Sequence, residues 1–517
     1  MLKWMTLSLL LLLSTKLSQA QVPCSLDNTF DTDGRLISDG SRIGQCIVDL
    51  PDGSALVAYN PFGNSHAYIR HILIDGSVDP AYGTAGKTTL QVASLRTDIQ
   101  AMLLLNNELY ICGNTGTGSN TYAFVSKLKS NGVMDVSFGN AGLSIFSTYF
   151  TFNDMVYNPV TNKLIVAGMK GTQTATIACM NTNGLLDTGF GNLGSTEVGT
   201  GNSSIYYQIN DIQIDKAHHY LLTGKYYTTM GTGTFTKLVV MRFDSNGNLD
   251  TGFDSDGLAF YNSQSSGSHE EGRRIFANSV NEYYICGSSY VNGSDWNYAV
   301  LKIKNDGSTQ NAFGTNGWKI YDLTNQGETE TILNAEMMSN ENLLLTGNQG
   351  SGDTVHFAML MIKPDGSRDH TFSPNGLFLN IFGNNNNSSS YGLAITTEGK
   401  IYLGGYTRTC TGGTCGPLYM GIARYVGAPF PTLLNTITHD NSFVVFPNPA
   451  LSDDYFQTNL DVDEADNLYA WNLSGQLIPI QKINSSLFRL QGAVPGQYLL
   501  QHVTKSGRVQ YSRITLK

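Results

Sequence analysis

The chain of 517 residues carries 31 Lys and Arg against 41 Asp and Glu, a net charge of −10. Only 14% of its residues are charged, 41% are hydrophobic and 55 are glycine, whereas an average soluble domain is ~25% charged. Such a composition supplies a packed core and excludes a disordered chain, and so few cations on an acidic chain exclude a nucleic-acid partner.

Residues 1–20 read as a secretory signal peptide. Lys3 supplies the positive start, residues 7–13 are apolar apart from Ser8, and Ser18 and Ala20 are the small residues before cleavage between Ala20 and Gln21. The apolar run is far shorter than the ~20 residues that cross a bilayer, and no other stretch is long enough, so no transmembrane span is expected. A lipid-modified Cys24 is rejected because Gln21-Val22-Pro23 lacks small residues. The expected destination is therefore outside the inner membrane.

An aromatic residue then recurs at Phe30, Tyr82, Phe138, Phe190, Phe253, Phe313 and Phe372, at intervals of 52 to 63 residues. Four residues later stands Gly34, Gly86, Gly142, Gly194, Gly257, Gly317 or Gly376, and three before it Asp27, Asp79, Asp135, Asp187, Asp250, Gln310 or Asp369. From the second copy on, the Gly of an Asp-Gly or Asn-Gly pair (Gly76, Gly132, Gly184, Gly247, Gly307, Gly366) stands six residues before it. Asp-Gly and Asn-Gly provide the positive φ of a tight antiparallel turn. The Asp can accept backbone N–H bonds in the bend that follows, and the aromatic can pack one repeat on the next.

Between copies the pattern alternates as short strands do. In the second repeat these are expected at 87–92, 98–105, 108–114 and 121–129, with a middle strand ending in Gly113, Gly168, Gly224, Gly287, Gly347 or Gly405 and Tyr59 in the first copy. Four strands per repeat and seven repeats predict an all-β, seven-bladed β-propeller over 24–427. The stretch 186–194, Leu-Asp-Thr-Gly-Phe-Gly-Asn-Leu-Gly, preceded by Asn183-Gly184, resembles the delta-60 repeat of bacterial propeller proteins, over roughly 26–425. That family usually carries Arg four residues before the turn. Here the slot holds His71, Lys127, Cys179, Arg242, Lys302, Met361 and Arg424, which reads as local packing.

Residues 428–440 form an expected linker, with Pro429 and Pro431. Beyond it, 441–517 reads as a small Ig-like antiparallel β-sandwich. Pro447-Asn448-Pro449, the Ser-Gly turn at Gly475, the Pro-Gly-x-Tyr strand of Gly496 and Tyr498, and the basic end at Lys517 resemble the C-terminal sorting domain of type IX secretion cargo in Bacteroidota. The resemblance implies the type IX machinery as a partner and a secreted or outer-surface destination, with a plain Ig-like accessory domain as the alternative.

Chemical signatures are sparse. Seven Cys do not form a disulfide framework: Cys112, Cys179 and Cys286 lie in apolar strand-like runs. Cys410 and Cys415 bracket Thr-Gly-Gly-Thr, a loop open to a local disulfide, free thiols or, less readily, a metal pair. No His-Glu-x-x-His, Gly-x-Ser-x-Gly or phosphate-cradling loop occurs, nor the Ser-x-Asp box of sialidase propellers, so no catalytic, cofactor or metal residue is assigned. Asp27, Asp31 and Asp33, and Asp250, Asp254 and Asp256, carry oxygen ligands on Gly turns that suit calcium, but the spacing departs from the EF-hand loop and five sister copies lack it, so turn stabilisation is the favoured reading and no cofactor is expected. His269-Glu270-Glu271 reads as a solvated loop. Loops at 228–234 and 263–272, the Asn/Ser run at 384–390 and the 410–415 loop are the expected places for specificity. These features predict a binding or adhesion module for an extracellular glycan or protein. A polysaccharide hydrolase or lyase with carboxylates converging across blades, or a structural surface component, are the alternatives.

Overall fold

The computed structural model describes residues 24–427 apart from 62–65, 93, 118–119, 149, 203, 231–232, 265–268, 292–294, 325–326, 381 and 383–385, together with the strands between 445 and 516. The signal cleavage site at Ala20 and Gln21, and Pro447, Asn448, Pro449, Gly475 and Lys517 of the tail, lie outside the described residues. The chain divides into two compact units, Met1–Leu433 and Leu434–Lys517. Among the described residues one short 3₁₀ turn, Pro374–Gly376, interrupts an otherwise all-β structure, and no helix is long and apolar enough to cross a membrane.

In the larger unit the strands pair antiparallel in sets of four. The second set is Thr97–Leu105, Glu108–Thr117, Asn120–Leu128 and Leu143–Thr148. The third is Phe150–Asn158, Lys163–Lys170, Thr174–Asn181 and Ser195–Gly199. The fourth is Ile205–Ile214, Tyr220–Met230, Gly233–Phe243 and Leu258–Tyr261, and the fifth His269–Ala277, Tyr283–Val291, Asp295–Ile303 and Trp318–Tyr321. Glu330–Met337, Leu343–Ser351, Thr354–Ile362 and Leu377–Asn380 form the sixth. Asn386–Ile395, Lys400–Thr411 and Tyr419–Val426 supply three strands of a seventh.

The fourth strand of that seventh set comes from the other end of the chain. The long strand Arg35–Asp49 pairs at its start with Gly421 to Ala423. From Arg42 on it becomes the first strand of the first set, with Ala55–Pro61, Ala67–Ile72 and Thr88–Leu90. The first strands of successive sets touch one another in order, and the seventh touches the first.

The sheets correct the repeat frame read from the sequence. Thr88–Leu90 was expected to group with the three strands after it, but it pairs with Ala67–Ile72 before it. Each motif copy thus lies between the third and fourth strands of one set. The first copy, with Asp27 and Phe30, accordingly belongs to the seventh set.

Between sets, the motif does the packing. Phe190 is 3% exposed and lies in a core that joins Ile165 and Ala167 of the third set to Ile209 and Leu222 of the fourth. A Cβ on Gly247, in the next turn, would meet the Phe190 ring at 2.5 Å, and one on Gly132 would meet Tyr82 at 2.7 Å. The turn Gly therefore serves twice, supplying positive φ (84° at Gly247, 79° at Gly132) and room for the neighbouring ring. The residue after the aromatic donates its N–H across the same boundary: Gly139 to Asn183 O at 2.7 Å and Gly191 to Asn246 O at 2.8 Å. Phe30, Phe138, Phe190 and Phe313 also meet Tyr402, Tyr110, Tyr220 and Tyr284 edge-on at 5.7 to 5.9 Å, a preferred aromatic geometry.

A second repeated feature is a one-residue bulge in each first strand, between Gly44/Cys46, Ile99/Ala101, Phe152/Asp154, Ile209/Asp211, Gly272/Arg274, Ile332/Asn334 and Ser390/Gly392. The glycines expected to end a middle strand stand opposite these bulges, within the strand. Any Cβ at Gly168, Gly224, Gly287 or Gly405 would collide with the carbonyl oxygen of Thr151, Gln208, Glu271 or Ser389. In the first set the glycine is on the bulged strand, Gly44, and Tyr59 stands opposite.

The smaller unit has two four-stranded antiparallel sheets. One contains Val445–Phe446, Phe456–Thr458, Leu487–Leu490 and Ile480–Lys482, the other Leu477–Ile478, Leu468–Asn472, Gly496–Val503 and Val509–Leu516. Phe488 and Leu490 of one share a core with Leu468, Ala470, Tyr498, Leu500 and Ile514 of the other.

Arg424 closes the larger unit. It is 1% exposed and donates Nε to Asp27 Oδ2 at 2.8 Å, one Nη to Tyr402 Oη at 2.9 Å and to the Ile74 carbonyl, and the other to Thr29 Oγ1 at 3.0 Å. Removing the guanidinium strips a buried carboxylate of its closest cation, leaves Lys400 Nζ at 3.3 Å as its remaining charged partner, and costs up to about 3 kcal/mol. We expect Arg424→Met to lose that much stability in urea unfolding, whereas Lys163→Met, at the more exposed Lys163–Asp187 pair, loses no more than ~1 kcal/mol.

Candidate functional site: an aromatic row across the fourth and fifth sets

The motif Asp residues act as local clamps. Asp135 accepts the Ser137 N–H at 3.2 Å on one oxygen and meets Lys127 Nζ at 3.2 Å with the other. Asp79 does the same with Ala81 N–H and His71, and Asp250 with Gly252 N–H and Arg242. The slot that reads as scattered packing is therefore the partner of the motif Asp. Where it holds Cys179 or Met361, the start of the set's second strand supplies a partner: Lys163 for Asp187 and Asn342, just before Leu343, for Asp369. Gln310, which replaces the Asp, donates to Glu282, and Glu282 meets Lys302 at 2.9 Å. The sequence spacing of eight residues between slot and Asp was the available signal.

The acid-rich turns are occupied similarly. Asp33 and Asp256 each accept a backbone N–H at 2.9 Å, from Arg35 and Leu258. Asp31 and Asp254 adopt φ of 43° and 45° and donate N–H to Asp75 O and Asp306 O, both at 2.9 Å. Among the described residues, Asp353, Cys410 and Cys415 form the one cluster with three metal-ligating atoms close together. There the two sulfurs are joined as a disulfide, and Asp353 accepts the Gly413 N–H. Cys24, Cys112, Cys179 and Cys286 are buried free thiols.

Charged side chains do converge beside the bulges. Arg274 Nη1 lies 2.7 Å from Asp211 Oδ1 and 3.5 Å from Asp154 Oδ2. Both carboxylates also bind the first strand of the following set, Asp154 accepting Ile212 N–H at 3.2 Å and Asp211 accepting Ile275 N–H at 2.7 Å. Asn153, Asn210 and Asn334 make the reverse bond, donating Nδ2 to the carbonyls of Ile209, Gly272 and Tyr391 at 2.6 to 3.0 Å. These side chains stitch set to set. Burial pushes Glu336 up to about 7 against the pull of Arg274, with Asp49 adding to the rise, and burial pushes Asp49 up to about 6.

Two stretches expected as loops are strands. Glu270 is fully buried, accepting Ser263 N–H at 2.9 Å, and Glu271 is 7% exposed. In the Asn/Ser run, Ser388, Ser389 and Ser390 are buried in the strand Asn386–Ile395. Ser389 donates to Asn348 Oδ1 at 2.8 Å and Ser390 to Gly347 O at 3.1 Å, so the run is a polar seam between the sixth and seventh sets.

What remains open is an aromatic row that the sequence reading missed. Tyr206 and Tyr227 pair across the first two strands of the fourth set and stack at 4.9 Å, 9° from parallel. Thr236, opposite Tyr227, hydrogen-bonds His269 Nδ1 of the fifth set at 3.0 Å. His269 meets Tyr290 at 6.0 Å, and Tyr290 meets Trp296 at 5.7 Å. All five rings are half-buried, each keeping part of its surface in contact with solvent. Tyr227 and Tyr290 both stand three residues after a mid-strand glycine, Gly224 and Gly287, which was the only sequence signal of the row.

The raised carboxyls carry a sign. Below pH ~4 Glu336 is protonated folded or unfolded and has no effect. As pH rises, the unfolded chain ionises first, so stability is lost on the way to pH ~8. Glu336→Gln should therefore be more stable than the parent at pH 8, by roughly 1–3 kcal/mol, and gain nothing at about pH 3.5 in parallel urea melts.

A family model described as a domain of unknown function (DUF5122) beta-propeller matches residues 221–253, the segment from the second strand of the fourth set to motif residue Phe253. None of the curated proteins compared with the chain matches it. Solved structures with a weak likeness include a protein of unknown function from Dyadobacter fermentans, at 8% identity and TM-score 0.39 over 78% of this chain and 98% of that one. PorZ, a surface component of the type-IX secretion system of Porphyromonas gingivalis, aligns at 10% identity and TM-score 0.27 over 92% and 82%. Polysaccharide lyase Uly1 aligns at 10% identity and TM-score 0.35 over 93% and 99%. At such scores these likenesses carry no argument. The matched segment, the sevenfold motif and the strand pairing together make this chain a β-propeller repeat protein.

Proposed function

We propose that this protein is a secreted or surface-displayed, seven-bladed β-propeller of the delta-60 type that acts as a non-catalytic binding or adhesion module for an extracellular glycan. Its signal peptide carries it across the inner membrane. Its tail, an Ig-like sorting domain, engages type IX secretion machinery of the Bacteroidota kind. The observation that carries the binding role is the aromatic row of Tyr206, Tyr227, His269, Tyr290 and Trp296. The electron-rich faces of such rings attract the C–H face of a sugar, and the polar edges of Tyr and Trp hydrogen-bond its hydroxyls. Rows of this kind on a rigid sheet bind with little entropic loss.

A second reading, a polysaccharide hydrolase or lyase, draws support from the convergence of Asp154, Asp211 and Glu336 on Arg274, with Asp49 acting on Glu336. Against it, Asp154 and Asp211 are committed to Arg274 and to backbone N–H groups, which leaves Glu336 and Asp49 to do the chemistry. The parent and the Asp49→Asn/Glu336→Gln variant should both leave glycan length unchanged in a depolymerisation assay, whereas cleavage by the parent that the double variant loses would favour the enzyme.

Two outcomes are expected. Tyr227→Ala and Trp296→Ala each weaken retention on a glycan array or affinity gel at least tenfold while the melting temperature stays close to the parent value. An intact protein blank across glycans would reject the reading. In a host with type IX machinery, deletion of residues 441–517 leaves the protein in the periplasm, as judged by fractionation, and surface display of the deleted form would reject the sorting role.

A further inference from the structure

We infer that the aromatic row takes an anionic saccharide, one carrying uronate carboxylates or sulfate esters. The inference rests on the glycan-binding reading above and narrows it. Gln208 and Lys225 pair across the fourth set two residues from the Tyr206–Tyr227 pair, and the period of two along a strand puts them on the same sheet face. From there Lys225 Nζ reaches Glu271 Oε2 of the fifth set at 3.5 Å. The other oxygen of Glu271 accepts from Arg273 at 3.1 Å and from Asn210 Nδ2 at 3.1 Å.

Two cations therefore share one carboxylate. Glu271 is nearly buried, with 9% of its side chain exposed, whereas Lys225 and Arg273 keep 26% and 28%. Of the other nearby acids, Glu270 is fully buried and turned to Ser263, and Asp154 and Asp211 face Arg274, so Glu271 is the carboxylate that Lys225 and Arg273 share. The result is a pair of partly exposed cations with one carboxylate between them, beside the stacked rings, in a protein of net charge −10. A neutral sugar would use the rings alone. A saccharide with an acid group along its edge would also satisfy the spare donors of Lys225 and Arg273, whose partial burial strengthens such bonds.

Isothermal titration of the full-length protein tests this with three probes: a polyuronate oligomer, its carboxyl-reduced neutral counterpart and a sulfated galactan free of uronate. The expected result is at least tenfold tighter binding of one or both acidic probes than of the neutral one, weakened on going from 50 to 500 mM salt. The two acidic arms distinguish carboxylate from sulfate ester. Lys225→Met and Arg273→Met should each weaken the acidic probe about tenfold and leave the neutral probe unchanged, while Lys225→Arg keeps the preference. Thermal melts of each variant identify any loss that is one of folding. Equal binding of acidic and neutral probes, with Tyr227→Ala still abolishing both, would overturn the charge preference alone. Absence of binding to all three, or indifference to Tyr227→Ala, would overturn this inference together with the glycan-binding reading.

Discussion

One buried guanidinium holds the two ends of the repeat array together. Arg424, on the last strand of the larger unit, pairs with Asp27 near the start of the described residues, almost four hundred residues earlier in sequence. Around it, Asp27 N–H donates to Arg424 O at 2.9 Å and Arg424 N–H to Gly34 O at 3.0 Å, so the seam is also stitched through the backbone. A four-stranded antiparallel set cannot bury both of its faces alone, and repeat stability comes from the interfaces with neighbours. An array left open would expose the first and last cores, including Phe30, which lies under the Arg424 cation at 4.8 Å. Closure by a strand from the other terminus removes both exposed faces and the unpaired strand edge together.

The same economy of local rules runs through the interior. Most motif aromatics pack against a glycine in the next turn, as Tyr82, Phe138, Phe190 and Phe313 do, and each bulge has a glycine on one of the two strands it joins. These constraints fix distance and register between sets and bring the post-bulge side chains together. Having arrived there, most are consumed: Asp154, Asp211 and the three asparagines bind the backbone of the following set. The site with side-chain surface to spare is instead at the strand ends of the fourth and fifth sets, where rings are held half-buried by cross-strand pairing.

Much of the architecture was legible in the sequence because its signals are local and repeated. Phe190, Gly194 and Asp187 stand within eight residues, and the same spacing recurs with each turn. The strand frame was not legible, because pairing Thr88–Leu90 backwards or forwards leaves the local pattern unchanged; only the seam at Arg424 settles it. Ser388 to Ser390 read as a loop because hydroxyls usually face water, yet here they donate to Thr407, Asn348 and Gly347 inside an interface. The rings of the candidate site come from five positions spread over ninety residues, each unremarkable as a strand aromatic. Their assembly depends on the register between sets, which no single repeat encodes. Lys225 and Glu271 meet for the same reason.

The account stands on closure: the seam must open only when the whole array unfolds. Native-state hydrogen exchange of the Asp27 and Arg424 amides measures this directly against amides of the fourth and fifth sets, such as Gly257 and Lys302. Closure predicts that seam and interior amides exchange through one shared global opening, with matching protection and matching dependence on denaturant. Seam amides that exchange orders of magnitude faster, through a local opening insensitive to denaturant, would contradict it.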